Sequence, residues 1–252
     1  IGNKEATPVI VNALKKLEYR GYDSAGLAVF DGQNIIVRKV KGALKVLEEK
    51  VAKEIVKGSM GIGHTRWATH GEPSDINAHP HLNADGTIAV VHNGIIENYV
   101  KLKAWLQAQG IVFKSETDSE VVAHLVDHYY AETKDIVKAA YLTSRKIEGS
   151  YALGVVCKDF PDRIVAVRKE SPLIVGLGKD ENFIASDVPA VLEHTREVIF
   201  LEQNEMAVLY KDHVDLFDEN MNRVVRQPFH VEWDISSAEK NGYEHFMLKE
   251  IF

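Results

Sequence analysis

The segment "HTRWATHGEPSDINAHPH", His64 to His81, gathers four histidines, an arginine and a tryptophan into eighteen positions. A metal nest is the first chemistry such a run suggests. The spacing of His64, His70, His79 and His81 argues against it: there is no His-Glu-x-x-His run, and the single cysteine, Cys157, lies far along the chain. No metal is expected. Arg66 offers instead a planar fork that can grip a carboxylate through two hydrogen bonds, which lysine cannot do. A structural arginine in a surface loop is the alternative.

A second stretch, "VVHNGIIEN", ends an apolar strand in Asn93-Gly94. A side-chain amide beside an approachable glycine N–H places two neutral donors at one point, the arrangement that stabilises an oxyanion. The same dipeptide is also the commonest tight turn. Asp118 stands where "VFKSE" gives way to a helical pattern, so its carboxylate either complements a helix dipole or holds a ligand ammonium. Taken together, Arg66 and Asp118 would bracket an α-amino acid, with Asn93 and Gly94 facing an acyl carbon farther along it. A nucleophile is not evident. Cys157 closes an apolar strand with no histidine near it in sequence and reads as a small buried hydrophobe. Ser24 reads as a turn or cap residue.

The elements that must position these residues follow from periodicity. Ile10, Leu14 and Leu17 recur at helical spacing after Thr7 as N-cap and Pro8 at the first helical position, predicting a helix that ends near Arg20-Gly21. Two β-rich runs flank Asp31-Gly32, a hairpin signal. "ALKVLEEKVAKEIV", "ENYVKLKAWLQAQG" (closed by Gly110), the segment after Thr117-Asp118-Ser119-Glu120 with its capping-box spacing, and residues near 136–147 read as helices. From Ser150 onward short strands and turns dominate. Strand runs beside helix runs, without βαβ alternation, predict an α+β fold with antiparallel sheets in one domain. A net charge of −7 argues against nucleic acid or an anionic membrane surface as partner, and no apolar run approaches the roughly 18 residues of a membrane span. One cysteine excludes an internal disulfide framework and fits a reducing compartment, so a cytoplasmic protein is expected.

"LEYRGYDSAGLA", "GIGHTRWATHGEPSDINAHPH", "VVHNGIIEN", "SETDSEVVAHL", "GSYALGV", "SPLIVGLG" and "NFIASD", in this order, resemble the blocks of the class II (N-terminal nucleophile) glutamine amidotransferases. The resemblance covers essentially the whole chain. It is closest to the glutaminase domains of the glutamine–fructose-6-phosphate aminotransferase family. It implies a four-layer αββα sandwich of two antiparallel sheets and hydrolysis of L-glutamine to glutamate and ammonia without a cofactor. Asn93 and Gly94 would hold the oxyanion. Arg66 and Asp118 would hold the glutamine, with Thr69, His70 and Gly94 as further contacts, and Trp67 would belong to the loop that closes over the site and gates ammonia transfer. Arg20 would support the nucleophile, an N-terminal cysteine on a short apolar strand whose end resembles Ile1-Gly2, so the cysteine itself is expected upstream of Ile1. Residues 1–233 would be the glutaminase domain. Residues 234–252, with their closing "HFMLKEIF", would start a linker to a sugar isomerase domain that receives the ammonia. The fragment is expected to be monomeric and the full-length enzyme a homodimer. The alternatives are a phosphoribosyl-diphosphate amidotransferase, whose family resembles "HRGQDAAG" and "HVRYSTAG" where this chain has "EYRGYDSAG" and "HTRWATHG", and a catalytically dead regulatory domain that keeps the glutamine pocket.

Overall fold

A computed structural model describes residues 1–232 of the chain, so the boundary expected at Trp233 and the segment 234–252 lie outside the described residues. Helix α1 (Ala6–Leu17) starts one residue before the expected cap: Glu5 takes that place without a side-chain bond, and Thr7 Oγ1 donates to Val56 O at 2.7 Å. The hydroxyl therefore fastens the helix to the segment around Val56 instead of capping it. Strands β1 (Ser24–Phe30) and β2 (Ile35–Lys41) form the expected hairpin, its turn closed by the Asp31 carboxylate, which accepts from the N–H groups of Gln33 and Asn34. Helix α2 (Leu44–Lys53) follows, and β3 (Met60–Arg66) then pairs with the other side of β1, setting Arg66 opposite Ser24.

The second sheet starts with β4 (His81–Leu82) and β5 (Ile88–Ile96), followed by the helices α3 (Tyr99–Gln107), α4 (Glu120–Thr133) and α5 (Ile136–Lys146). The chain then returns through β6 (Gly149–Cys157), β7 (Ile164–Lys169), β8 (Ile174–Leu177), β9 (Asn182–Ala185), β10 (Glu197–Phe200), β11 (Met206–Leu209), β12 (Val214–Phe217), β13 (Arg223–Val224) and β14 (Phe229–His230). The strand orders are β2-β1-β3, β14-β10-β8-β9 and β13-β12-β11-β7-β6-β5-β4, and every pairing is antiparallel.

Burial sorts these elements into layers. Leu14 of α1 and Leu44 and Leu47 of α2 pack on Leu27 and Val29 of β1, while Ala13 and Leu17 of α1 pack with Val198 and Ile174 of the four-stranded sheet. Both small sheets thus lie under the same helical layer. Their other faces (Ala28, Ile62, Val175, Ile199) meet Ala89, Val91, Ala152 and Ala166 of the seven-stranded sheet. The far face of that sheet (Val90, Leu153, Val155, Val165) is covered by Leu106, Val122, Leu125, Val126 and Ala139 of α3, α4 and α5. The architecture is an αββα sandwich, as expected. Its first β layer is divided: β3 and β9 each end their sheets among the described residues, and a cavity of about 380 Å³ lies between them.

The turn before α4 differs from its sequence reading. No side-chain cap bond forms at Ser119, and Glu120 does not reach back to complete a capping box. The buried Glu120 carboxylate instead accepts from Lys114 N–H (2.8 Å), Ser115 N–H (2.6 Å) and the Ser115 hydroxyl, and lies 3.4 Å from His124 Nε2. These bonds hold its pKa down to about 2 against the cost of burial. Glu120→Ala strands the buried amide donor of Ser115 and frees the part-buried one of Lys114, so the unfolding free energy should fall by about 1–3 kcal/mol in a urea titration at pH 7; an unchanged midpoint would show that the turn holds without the carboxylate.

Candidate active site

Strand β5 does not end at Asn93-Gly94. It runs on to Ile96, with Asn93 opposite Ala152 and Gly94 opposite Tyr151 of β6, so the dipeptide is ladder and not a turn. Gly94 has φ +123°, and a Cβ there would collide with Ser150 O. Only glycine fits this position, on conformational and steric grounds together. Asn93 lines the cavity between β3 and β9, and its Oδ1 lies 2.8 Å from His64 Nε2 of β3.

Arg66 is the last residue of β3 and is buried. Its Nη2 donates to the carbonyls of His70 and Gly71, while Nη1 is sealed from solvent with no hydrogen-bond partner among the described residues. Burial lowers the guanidinium pKa, opposed by the charges of Asp23 and Asp118. Asp118, also buried, accepts from Ile96 N–H at 2.8 Å through Oδ2, and its Oδ1 lies 3.4 Å from the Ser119 hydroxyl and 3.9 Å from His70 Nδ1. A cation, a carboxylate and an orienting imidazole thus meet at the end of β5.

The loop after Arg66 is fastened at several points that sequence reading did not single out. Asp23 Oδ2 accepts from Ala68 N–H, Lys39 Nζ donates to Ile76 O at 2.8 Å, and Lys41 N–H donates to Asp75 Oδ1 at 2.6 Å. Asn77 donates to Glu72 O and accepts from Glu116 N–H at 3.0 Å, which joins this loop to the segment leading to Asp118. The only signal in the sequence for these roles was polar residues crowding one region. Trp67 is 62% exposed and, among the described residues, meets Tyr22 edge-on at 5.6 Å. Thr69 is exposed as well, its hydroxyl 3.3 Å from His70 Nδ1. Arg20 lines the cavity while its Nη1 reaches Asp187 at 3.4 Å. Of the expected residues, the structure brings Arg66, His70 and Asp118 together, sets Asn93 and Arg20 on the cavity, and leaves Gly94, Trp67 and Thr69 exposed to solvent. Cys157 lies buried in the core under the helices, where burial pushes its thiol up to about 11.

The histidines are engaged with one another. His64 stacks on His79 at 4.3 Å, His79 meets His81 at 4.7 Å, His81 Nε2 lies 3.1 Å from the Thr117 hydroxyl, and His92 Nδ1 lies 2.8 Å from the Ser119 hydroxyl. No group of three or more His, Cys, Asp or Glu disposed to hold a metal ion occurs among the described residues. Burial lowers the pKa of all four, His64 to about 4. Between the ordinary value of 6.5 and about 4 the unfolded chain binds more protons than the folded one, so stability is complete above pH 6.5 and is lost as pH falls. For His64 alone the loss approaches about 3 kcal/mol. The melting temperature should therefore drop steadily between pH 6.5 and 4; a flat profile would contradict a neutral buried cluster.

Comparison with known proteins bears on the family and the fold. Residues 39–246 match the glutamine amidotransferase domain family. Glutamine–fructose-6-phosphate aminotransferase [isomerizing] from Clostridium tetani is 59% identical over 251 residues, covering 100% of this chain and 41% of the relative, and that from Thermus thermophilus is 48% identical with the same coverage. The chain thus spans about two-fifths of the length of these relatives. Among solved structures, the glutamine phosphoribosylpyrophosphate amidotransferase from B. subtilis superposes with a TM-score of 0.75 at 25% identity, over 88% of this chain and 48% of that one. Family match, fold and whole-chain identity agree: the chain belongs to the glutamine amidotransferase domain family.

Proposed function

We propose that the chain is the glutaminase unit of an enzyme that passes ammonia from L-glutamine to fructose 6-phosphate, forming glucosamine 6-phosphate. The observation that carries this reading is the meeting of buried Arg66 and Asp118 at the end of the strand that presents Asn93. The Nη1 of Arg66, which has no hydrogen-bond partner among the described residues, suits the α-carboxylate of glutamine and Asp118 suits its α-ammonium, with His70 and Thr69 as further contacts. The Asn93 amide and the Gly94 N–H would then receive the oxyanion formed at the side-chain carbonyl. Trp67, on the outside of the loop, suits a lid.

The nucleophile in this reading is an N-terminal cysteine upstream of Ile1. Ile1 and Asn182 exchange both backbone bonds (2.9 and 2.8 Å), and Gly2 N–H donates to Ser59 O at 3.1 Å. A chain extended backward from Ile1 would run antiparallel to β9 on one side and β3 on the other, through the cavity. At about 3.3 Å per residue it would come level with Arg66 after about six residues, the span of β3. The cavity is lined by Ile10 and Leu14 of α1, Ile62 of β3 and Ile184 of β9, which suits a short apolar strand, with Asn93 and Arg20 also on its wall. A free α-amine (ordinary pKa about 7.7–8.0) beside a thiol (about 8.5) can take the thiol proton and return it to departing ammonia. The thiolate attacks the amide carbon, ammonia leaves, and water hydrolyses the thioester to glutamate.

The sugar substrate and an isomerase domain rest on the names of relatives that are longer than this chain. The phosphoribosylpyrophosphate alternative is disfavoured by 25% identity to that enzyme against 59% to the aminotransferase. A cytoplasmic location, a homodimeric whole enzyme and a monomeric glutaminase unit complete the reading; no helix among the described residues is long and apolar enough to cross a membrane.

In the enzyme carrying its N-terminal cysteine, Arg66→Ala should raise KM for glutamine about ten- to a hundredfold through loss of a charge-assisted contact, and Asp118→Asn should act alike. An unchanged KM would remove these residues from the clamp. Asn93→Ala should lower kcat roughly 10²–10³-fold. Cys157→Ala should leave glutaminase activity intact. The glutaminase unit alone should release glutamate but make no glucosamine 6-phosphate. No glutamate release despite the cysteine would favour a dead regulatory domain.

A further inference from the structure

We propose that His64 is the positioning residue of the oxyanion donor: its Nε2–H holds Asn93 Oδ1 and so turns the Asn93 NH2 group toward the substrate. The inference rests on the assignment of Asn93 given above. A carboxamide oxygen only accepts hydrogen bonds, so at 2.8 Å the His64 nitrogen must be the donor, and the neutral ring carries its proton on Nε2. The remaining nitrogen, Nδ1, is sealed from solvent and has no partner among the described residues. A bare lone pair is tolerable in that place; an N–H would be an unpaired donor.

The ring is itself held. His79 stacks on it at 4.3 Å with planes 29° apart, and His79 Nδ1 accepts the backbone N–H of His92 at 3.3 Å, the residue beside Asn93. The His64–Asn93 bond also joins two layers, β3 above and β5 below. Without it, nothing among the hydrogen bonds of the described residues distinguishes the two faces of the Asn93 amide. Flipped by half a turn, the amide would present its oxygen to a developing oxyanion, so the effect belongs to the transition state and not to glutamine binding.

Steady-state kinetics of the cysteine-bearing enzyme test this through His64→Leu, His64→Gln, Asn93→Ala and the double variants. His64→Leu should lower kcat about ten- to a hundredfold, less than loss of the donor itself, with KM within about twofold. His64→Gln, whose amide N–H can reach the same oxygen, should recover much of the loss. In the Asn93→Ala background both His64 substitutions should cost almost nothing further, since the residue acts only through the amide. Unchanged kcat in His64→Leu, or losses that add across the two sites, overturns the inference while leaving the assignment of Asn93 standing. Unchanged kcat in Asn93→Ala overturns both. If His64→Leu does not fold, judged by its melting curve, the cycle between His64→Gln and Asn93→Ala decides: coupling supports the inference and additivity overturns it.

Discussion

Strand β5 has to stay in register inside a seven-stranded sheet while giving side chains and backbone to a site at its end, and much of the molecule follows from how it does both. Its ladder with β6 runs unbroken from Ile88 to Ile96, which fixes the direction of each side chain. At Gly94 the absence of a side chain is what lets the ladder pass Ser150 with positive φ. At Ile96 the backbone N–H turns to the Asp118 carboxylate. The same strand thus presents Asn93 and orients Asp118, so their separation is set by extended backbone and not by loop conformation.

Around that strand the structure keeps charge in few places. The histidines beside β5 are held neutral by burial, whereas the Arg66 guanidinium feels the charges of Asp23 and Asp118 near its end. Glu120 belongs to the same economy of charge: its oxygens are consumed by the turn that carries Asp118, leaving none to act on a ligand.

Much of this was legible in the sequence, and the exceptions have physical causes. The helices show their amphipathic period because each turns an apolar face inward, and the strands after Ser150 show as short apolar runs because several, such as β6 and β11, are buried on both faces. Arg66, Asn93 and Asp118 were visible because fork, amide and carboxylate are uncommon at the ends of apolar runs. Glu120 was misread because capping-box spacing records only a distance along the chain; the competing donors at Lys114 and Ser115 come from a turn that spacing does not encode. Asn93-Gly94 was open between turn and donor pair because the β6 ladder that decides the matter forms with residues more than fifty positions later. The partners of the histidines were equally hidden, since His64 meets Asn93 only where two layers face each other.

The divided first layer also has a consequence for the order in which the molecule can be built. Ile1 pairs with Asn182, 181 positions away, so this contact can form only after everything between the two has been made. At 5–20 residues per second the start of the chain waits roughly 10–40 s for β9 to exist. A reactive thiol ahead of Ile1 would pass that interval outside its sheet. The pairing of Ile1 with β9 is therefore a late contact, seated only once the scaffold on both sides of it exists.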